Sequence, residues 1–171
     1  MKDLKAIVLA YQQAHNAQDV DQAMQYFTPN VRFEMAGIWV RQGLEEIRAM
    51  EEWEKVMDGE IEFGDLKMRN NRLECKATER NSWLKLVGIE VITYDSYRFE
   101  FEDDQINRIR AKISPKGEMA IDKAINRVMR WALEAYPDEI DAIIPRGQFN
   151  YGKTQAERWL ALLKEWQQLG K

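Results

Sequence analysis

A chain of 171 residues makes one domain, or one domain with an appendage, and is too short for two full enzyme domains. Hydrophobic residues are 45% and charged residues 32%, the balance of a globular protein, and 25 basic against 29 acidic side chains leave a net charge of −4. That charge, with no basic run beside it, argues against a nucleic-acid partner held through phosphates. The single Cys, Cys75, excludes an internal disulfide, and the single His, His15, excludes zinc sites built from several Cys and His ligands. A carboxylate site for Mg or Ca stays open. The opening apolar stretch is too short and too interrupted for a signal peptide or a membrane span, so the expectation is a cytoplasmic chain with no membrane partner.

In chain order, Leu4, Ile7, Val8, Tyr11, Ala14 and His15 recur at spacings of three and four, which predicts a helix over 2–17. Asp19 suits the cap of a second short helix over 20–27. Thr28, Pro29 and Asn30 read as a turn, followed by a strand over 31–35 with Val31, Phe33 and Met35 on one face. Gly37 and Gly43 bracket a loop carrying Ile38, Trp39 and Val40. A third helix over 44–57 follows, its stripe running through Leu44, Ile47, Met50 and Trp53 or Glu54.

The middle of the chain reads as strands over 60–68, 73–79, 89–102 and 105–114, with a short excursion at 82–87 and turns at Asn70–Asn71 and Asp103–Asp104. Ser114, Pro115, Lys116 and Gly117 mark the clearest boundary, and the excess of acidic residues lies before it. Beyond it come a helix stopped by Pro137, a short turn or helix ended by Pro145, and a loop through Phe149, Tyr151 and Gly152. Thr154 reads as the cap of a final helix with Ala156, Trp159, Leu160, Leu163 and Trp166 on one stripe. This division predicts a cone domain over 1–114 and a helical extension over 115–171 packed on it.

Helix, short helix, strand, helix and then a run of strands is an α+β order in which a strongly curved antiparallel sheet wraps the N-terminal helices and leaves a conical pocket. The stretches AYQQAHNAQDVDQAMQYFTPNVRFEM at 10–35, RQGLEEI at 41–47 and YRFEFEDDQINRI at 97–109 resemble the nuclear transport factor two-like superfamily. That superfamily includes ketosteroid isomerase, scytalone dehydratase, limonene epoxide hydrolase and the SnoaL-type polyketide cyclases. The resemblance covers about residues 2–114. It implies the cone fold, while the superfamily hosts enzymes, binders and interaction domains alike.

Carried over residue by residue, the resemblance places Tyr11 where ketosteroid isomerase has its oxyanion-donating tyrosine. Met35 falls at the position of that family's general-base aspartate, and Tyr97 near its second oxyanion donor. Methionine takes no proton, so that isomerisation by that route is not expected. The Asp–Arg–Asp arrangement of limonene epoxide hydrolase is not visible. The superfamily often dimerises through the outer sheet face, here the charged stripe of Arg98, Glu100, Glu102, Arg108, Arg110 and Lys112, which allows a homodimer.

Strand parity and helix face predict an apolar lining of Phe27, Phe33, Met35, Trp39, Met50, Trp53, Phe99 and Phe101. Each is equally an ordinary core residue. The inward polar set is Tyr11, His15, Glu79, Asp95 and Tyr97. Glu79 is the first choice of general acid or base, against a strand-end Glu that reaches solvent or pairs with Arg80 or Arg108. Asp95 follows the same logic if its strand is unbroken, since one β-bulge turns it outward. His15, one turn after Tyr11, reads as poising Tyr11 or shuttling a proton, or as a helix-end His bonded to a carbonyl. Tyr97 either meets a ligand oxygen or closes the core. Three readings follow: a cofactor-free isomerase, cyclase or hydrolase acting on a small apolar or polycyclic molecule; a non-catalytic binder of such a molecule; and an interaction module whose cone is filled by its own side chains.

Overall fold

The computed structural model describes residues 3–170. Residue 2, the expected first residue of the opening helix, lies outside them. The elements are α1 (Leu4–Asn16), α2 (Val20–Met24), β1 (Phe27–Met35), β2 (Trp39–Gln42), α3 (Leu44–Val56), β3 (Glu60–Arg69), β4 (Arg72–Arg80), α4 (Ser82–Leu86), β5 (Ile92–Glu102), β6 (Gln105–Ile113), α5 (Pro115–Ala135), α6 (Pro137–Ile143) and α7 (Lys153–Gln168), with a short 3₁₀ turn at Pro145–Gly147. Among the described residues no helix is long and apolar enough to cross a membrane.

The helix starts follow from local chemistry. The Asp3 carboxylate accepts from Lys5 N at 3.0 Å and the Asp19 carboxylate from Gln22 N at 3.0 Å, each satisfying a backbone donor that a first turn leaves free. Ser114 accepts from Gly117 N at 3.1 Å, with Pro115 in the first turn of α5 where its missing N–H costs nothing. Thr154 does not cap α7, which starts one residue earlier behind Gly152 with no side-chain cap.

The six strands form one sheet in the order β2-β1-β6-β5-β4-β3. Four of the five pairings are antiparallel and β1 runs parallel to β6, so the sheet is mixed. Alternation reports which face a residue takes and not the direction of its neighbour. A parallel pair needs a crossover, and here β2, α3 and the β3–β5 meander supply it. Register shifts interrupt β1/β6, β3/β4, β4/β5 and β5/β6, and these bulges bend and twist the sheet into a half-cone.

Two expectations about the start of this sheet are corrected. Thr28, Pro29 and Asn30 lie inside β1 and not in a turn, and Phe27 begins that strand. The register against β6 slips between Phe27 and Arg32, so the turn-forming residues make a bulge, where a proline without an N–H breaks no regular ladder. The segment between Gly37 and Gly43 is also not simply a loop, because β2 folds back on β1 with Met35 opposite Trp39.

One hydrophobic core lies between the concave face of the sheet and the helices. α1 packs on β3, and α7 closes the open end against α3 and α4. The buried stripe of α7 is Ala156, Trp159, Leu162, Leu163 and Trp166, with Leu162 taking the place expected for Leu160. Trp159 is fully buried against Trp83 and Phe149, at ring-centroid distances of 6.2 and 5.7 Å, and its Nε1 has no hydrogen-bond partner. Trp159→Ala should therefore cost about 3–5 kcal/mol in urea unfolding, while Trp159→Phe, which removes the unpaired N–H and keeps most of the volume, should cost under about 1.5 kcal/mol.

Candidate active site

The cone is hollow. A cavity of about 350 Å³ lies between the concave sheet face, α1, α3, α5 and the segment after the 3₁₀ turn. This removes the reading in which the chain fills its own cone. Phe33, Met35, Trp39, Met50, Trp53 and Tyr97 line the cavity as expected. Phe99 does not line it, nor do Phe27 and Phe101, although all three are buried. Phe99 has the expected parity but sits deeper, under Phe63 and Tyr97 at 5.1 and 5.3 Å between ring centroids.

Asp95 is not in the cavity. It is exposed on the outer face of the sheet, beside Arg98 and Lys112. The β4 register pairs Cys75 with Tyr97 and Ala77 with Tyr94, and β5/β6 also slips between Tyr94 and Ser96. The bulge leaves Asp95 and Ser96 together outside and brings Tyr94 inside, where unbroken alternation would have put Asp95.

Tyr11 and His15 reach the cavity from one face of α1, with ring centroids 5.9 Å apart. Both bond a residue that the sequence reading missed. Tyr11 Oη donates to Glu51 Oε1 at 2.8 Å, and His15 Nδ1 donates to Glu51 Oε2 at 2.8 Å. Glu51 is buried on α3 four residues after Ile47, and Glu54 follows after three more. Glu54 already stands on the stripe read from the sequence; extending Leu44 and Ile47 by four residues is the signal that points to Glu51.

Burial alone would pull the His15 pKa down, but the Glu51 carboxylate and its hydrogen bond override it, with Glu54 and Glu79 adding, so His15 rises from 6.5 to about 9. It is an imidazolium at neutral pH, with Nδ1 held by Glu51 and Nε2 without a partner among the described residues. The Tyr11 hydroxyl is committed to Glu51, so the expected donation from Tyr11 to a ligand oxygen is replaced by a positioning contact.

Glu79 enters from β4. Tyr94 Oη donates to one of its oxygens, and Asn81 Nδ2 donates to the other at 3.2 Å. Asn81 is itself fixed as the cap of α4, accepting from Leu84 N at 3.0 Å. Glu79 pairs with neither Arg80 nor Arg108; Arg108 lies on the outer face with Glu34, at 3.1 Å. Burial raises the Glu79 pKa, and the bonds from Tyr94 and Asn81 and the charge of His15 only partly offset it.

Glu54 lies over Gly59, where an added Cβ would come 2.0 Å from its Oε2. That oxygen is buried without a partner, while the rest of the carboxyl opens on the cavity. Burial, then the neighbouring Glu79 charge, push its pKa well above the usual carboxylate range. Burial also raises Cys75, to about 12, which makes it an inert thiol away from the cavity and no partner for His15. Among the described residues no three His, Cys, Asp or Glu side chains converge as metal ligands would.

One side of the mouth is covered by the segment from Gly147 to Tyr151, whose residues read as loop by sequence. Phe149 packs on Trp53, Trp83 and Trp159, and Tyr151 on Trp39 and Trp53. Arg41 Nη2 donates to Phe149 O at 2.8 Å, with its guanidinium 5.5 Å from the Tyr151 ring.

His15 gains its proton affinity on folding, so its stabilisation is complete below pH 6.5 and is lost as pH rises through about 9. Glu54 and Glu79 also hold protons more tightly when folded, so stability starts to fall once pH exceeds the ordinary carboxylate value of 4.5. Unfolding free energy should therefore decline steadily from mildly acidic pH to about pH 9. His15 followed by NMR should titrate near 9, and Glu51→Gln should lower that midpoint, because burial is then opposed only by the weaker pull of Glu54 and Glu79.

No family model matches the chain, and no curated protein sequence does. Solved structures do match. An NTF2-like protein of unknown function from Cytophaga hutchinsonii aligns at 14% identity and a TM-score of 0.57, covering 70% of this chain and 96% of that one. SalBIII, an epoxide hydrolase/cyclase-like enzyme with a role in pyran ring formation in the polyether salinomycin, aligns at 20% and 0.60, covering 67% and 92%. A putative polyketide cyclase from Sinorhizobium meliloti aligns at 20% and 0.53, covering 62% and 93%. Curved sheet, cavity and these neighbours together give one conclusion: the chain has the nuclear transport factor two-like cone fold.

Proposed function

We propose that this protein is an enzyme that binds a small, mostly apolar molecule in the cone and moves a proton on it, as an isomerase or cyclase does. The carrying observation is that Glu79 and the His15 imidazolium open on one aromatic-walled cavity of about 350 Å³. Such a cavity excludes most water, which strengthens each electrostatic contact inside it.

In this reading Glu79 is the general base. Its carboxylate takes a proton from a carbon or hydroxyl of the substrate, the bonding pair moves toward a substrate oxygen, and Nε2–H of His15 stabilises the charge that develops there. Glu79 then returns the proton at the product position, so no atom is gained or lost. Tyr94 and Asn81 hold the carboxylate, and Glu51 and Tyr11 hold the imidazolium. The polyketide cyclase and epoxide hydrolase/cyclase-like neighbours support reading the cone as an active site. The reading also takes in a homodimer through the charged outer face and a cytoplasmic setting, neither of which the site chemistry requires.

The probe is 2-tetralone, a bicyclic ketone whose α-hydrogens exchange slowly with D₂O. The protein should accelerate that exchange, and Glu79→Gln should reduce the acceleration by about 10²–10⁴-fold. Quenching of the wall tryptophans should show the ketone still bound, with affinity within about threefold, because the apolar walls are untouched. Binding without any acceleration by the wild-type protein makes the cone a binding site and not an active site.

A further inference from the structure

Glu54 has no part in that proton transfer. It is a cavity-lining carboxyl with Oε2 sealed against Gly59, so its other oxygen is the one a ligand would meet, and among the described residues no Lys or Arg lines the cavity. The Arg41 guanidinium is engaged with Phe149 and with the rings of Trp39 and Tyr151. The His15 imidazolium is neutralised by Glu51 at 2.8 Å. The cavity thus holds two carboxyls, Glu54 and Glu79, against one cation, His15, whose charge is already paired with Glu51. Two more, Glu118 and Asp122, stand exposed at its mouth.

The walls are compatible with a cation: Trp39, Trp53, Trp83 and Tyr151 line the cavity, and an aromatic ring attracts a cation seated over its face. A separate observation concerns Tyr97. It is 3% exposed, its hydroxyl makes no hydrogen bond among the described residues, and it lines the cavity where it feels the Glu79 and Glu54 charges. The residue is buried but its hydroxyl is not sealed off by protein, so it meets the cavity with its oxygen free to accept from an N–H donor.

We propose that the cone selects a protonated amine, a molecule with an apolar ring body and one ammonium group seated against Glu54 with Tyr97 accepting from it. This rests on reading the cone as a small-molecule site and names the substrate class for it. The ammonium replaces lost hydration with a carboxylate, a phenol oxygen and ring faces, which is what a cation needs in an apolar cavity. The acidic mouth draws the cation in, and a carboxylate-bearing ligand meets Glu54 and Glu79.

Binding has a pH signature. The titratable groups that face Glu54 are Tyr11 and His15 from α1, Glu51 on its own helix, Glu79 from β4, Tyr94 and Tyr97 from β5, and Tyr151 from the closing segment. The phenols stay neutral and His15 stays charged through mildly acidic and neutral pH. Burial raises the pKa of both Glu54 and Glu79, so both give up protons only as pH climbs above the ordinary carboxylate value, in the direction that favours the ammonium.

Three probes of one skeleton test this: tryptamine, the neutral tryptophol and the anionic indole-3-acetate, titrated by calorimetry. Tryptamine should bind at least about tenfold more tightly than tryptophol, and indole-3-acetate most weakly. Tryptamine affinity should rise from pH 5 to pH 8 with release of protons, while tryptophol affinity stays flat, and Glu54→Gln should erase the difference between the two. Should that variant fail to fold, the wild-type pH dependence decides. Equal binding of the three, or preference for the anion, overturns the amine proposal and leaves the cone a small-molecule site. Binding of none overturns both.

Discussion

One buried carboxylate organises this molecule. Glu51 on α3 receives the Tyr11 hydroxyl and the His15 ring from α1, each at 2.8 Å, and so locks the opening helix to the third across the cone. Replaced as a unit by well-packed apolar side chains, such a group would cost little, because taking its charges out of water cancels most of their attraction. Broken singly, it leaves a buried charge with no partner. Its contribution is therefore geometric. It fixes which face of α1 meets the cavity, keeps the imidazolium charged, and sets the field that Glu54 and Glu79 experience.

The hollow needs a second device, because a sheet with regular alternation would turn Asp95 inward and stay flatter. The slip between Tyr94 and Ser96 puts Tyr94 and Tyr97 on the same face, three residues apart, with Tyr94 bonded to Glu79 and Tyr97 unbonded. One irregularity thus removes a carboxylate from the interior, supplies a phenol to hold another, and bends the strand around the cavity. The segment from Gly147 to Tyr151 then covers one side of the opening with aromatic rings, so the last part of the fold belongs to the site as much as the first does.

Much of this was legible in the residues. The spacing of Leu4, Ile7, Val8 and Tyr11 located α1 and the face it buries, and strand parity placed Phe33, Met35, Glu79 and Tyr97 inside. What stayed hidden has physical reasons. Parity survives only until a bulge, which is why Asp95 went to the wrong face and Phe27 was read as helix. A carboxylate on an apolar stripe looks like an error in the stripe until its partners are seen, which is why Glu51 was passed over. The closing role of Phe149 and Tyr151 depends on contacts with Trp53 and Trp83, far away along the chain, and no local pattern records such contacts.

That distance has a consequence during synthesis. Trp53 and Trp83 emerge early, yet the rings that cover them, Phe149, Tyr151 and Trp159, are translated some tens of residues later. Until α7 has left the ribosome the nascent sheet carries an open, indole-lined funnel, the kind of sticky surface that chaperones bind and that drives aggregation at high concentration. Completion of the funnel and burial of its sticky rim are a single event, timed by the ribosome and not by the sheet.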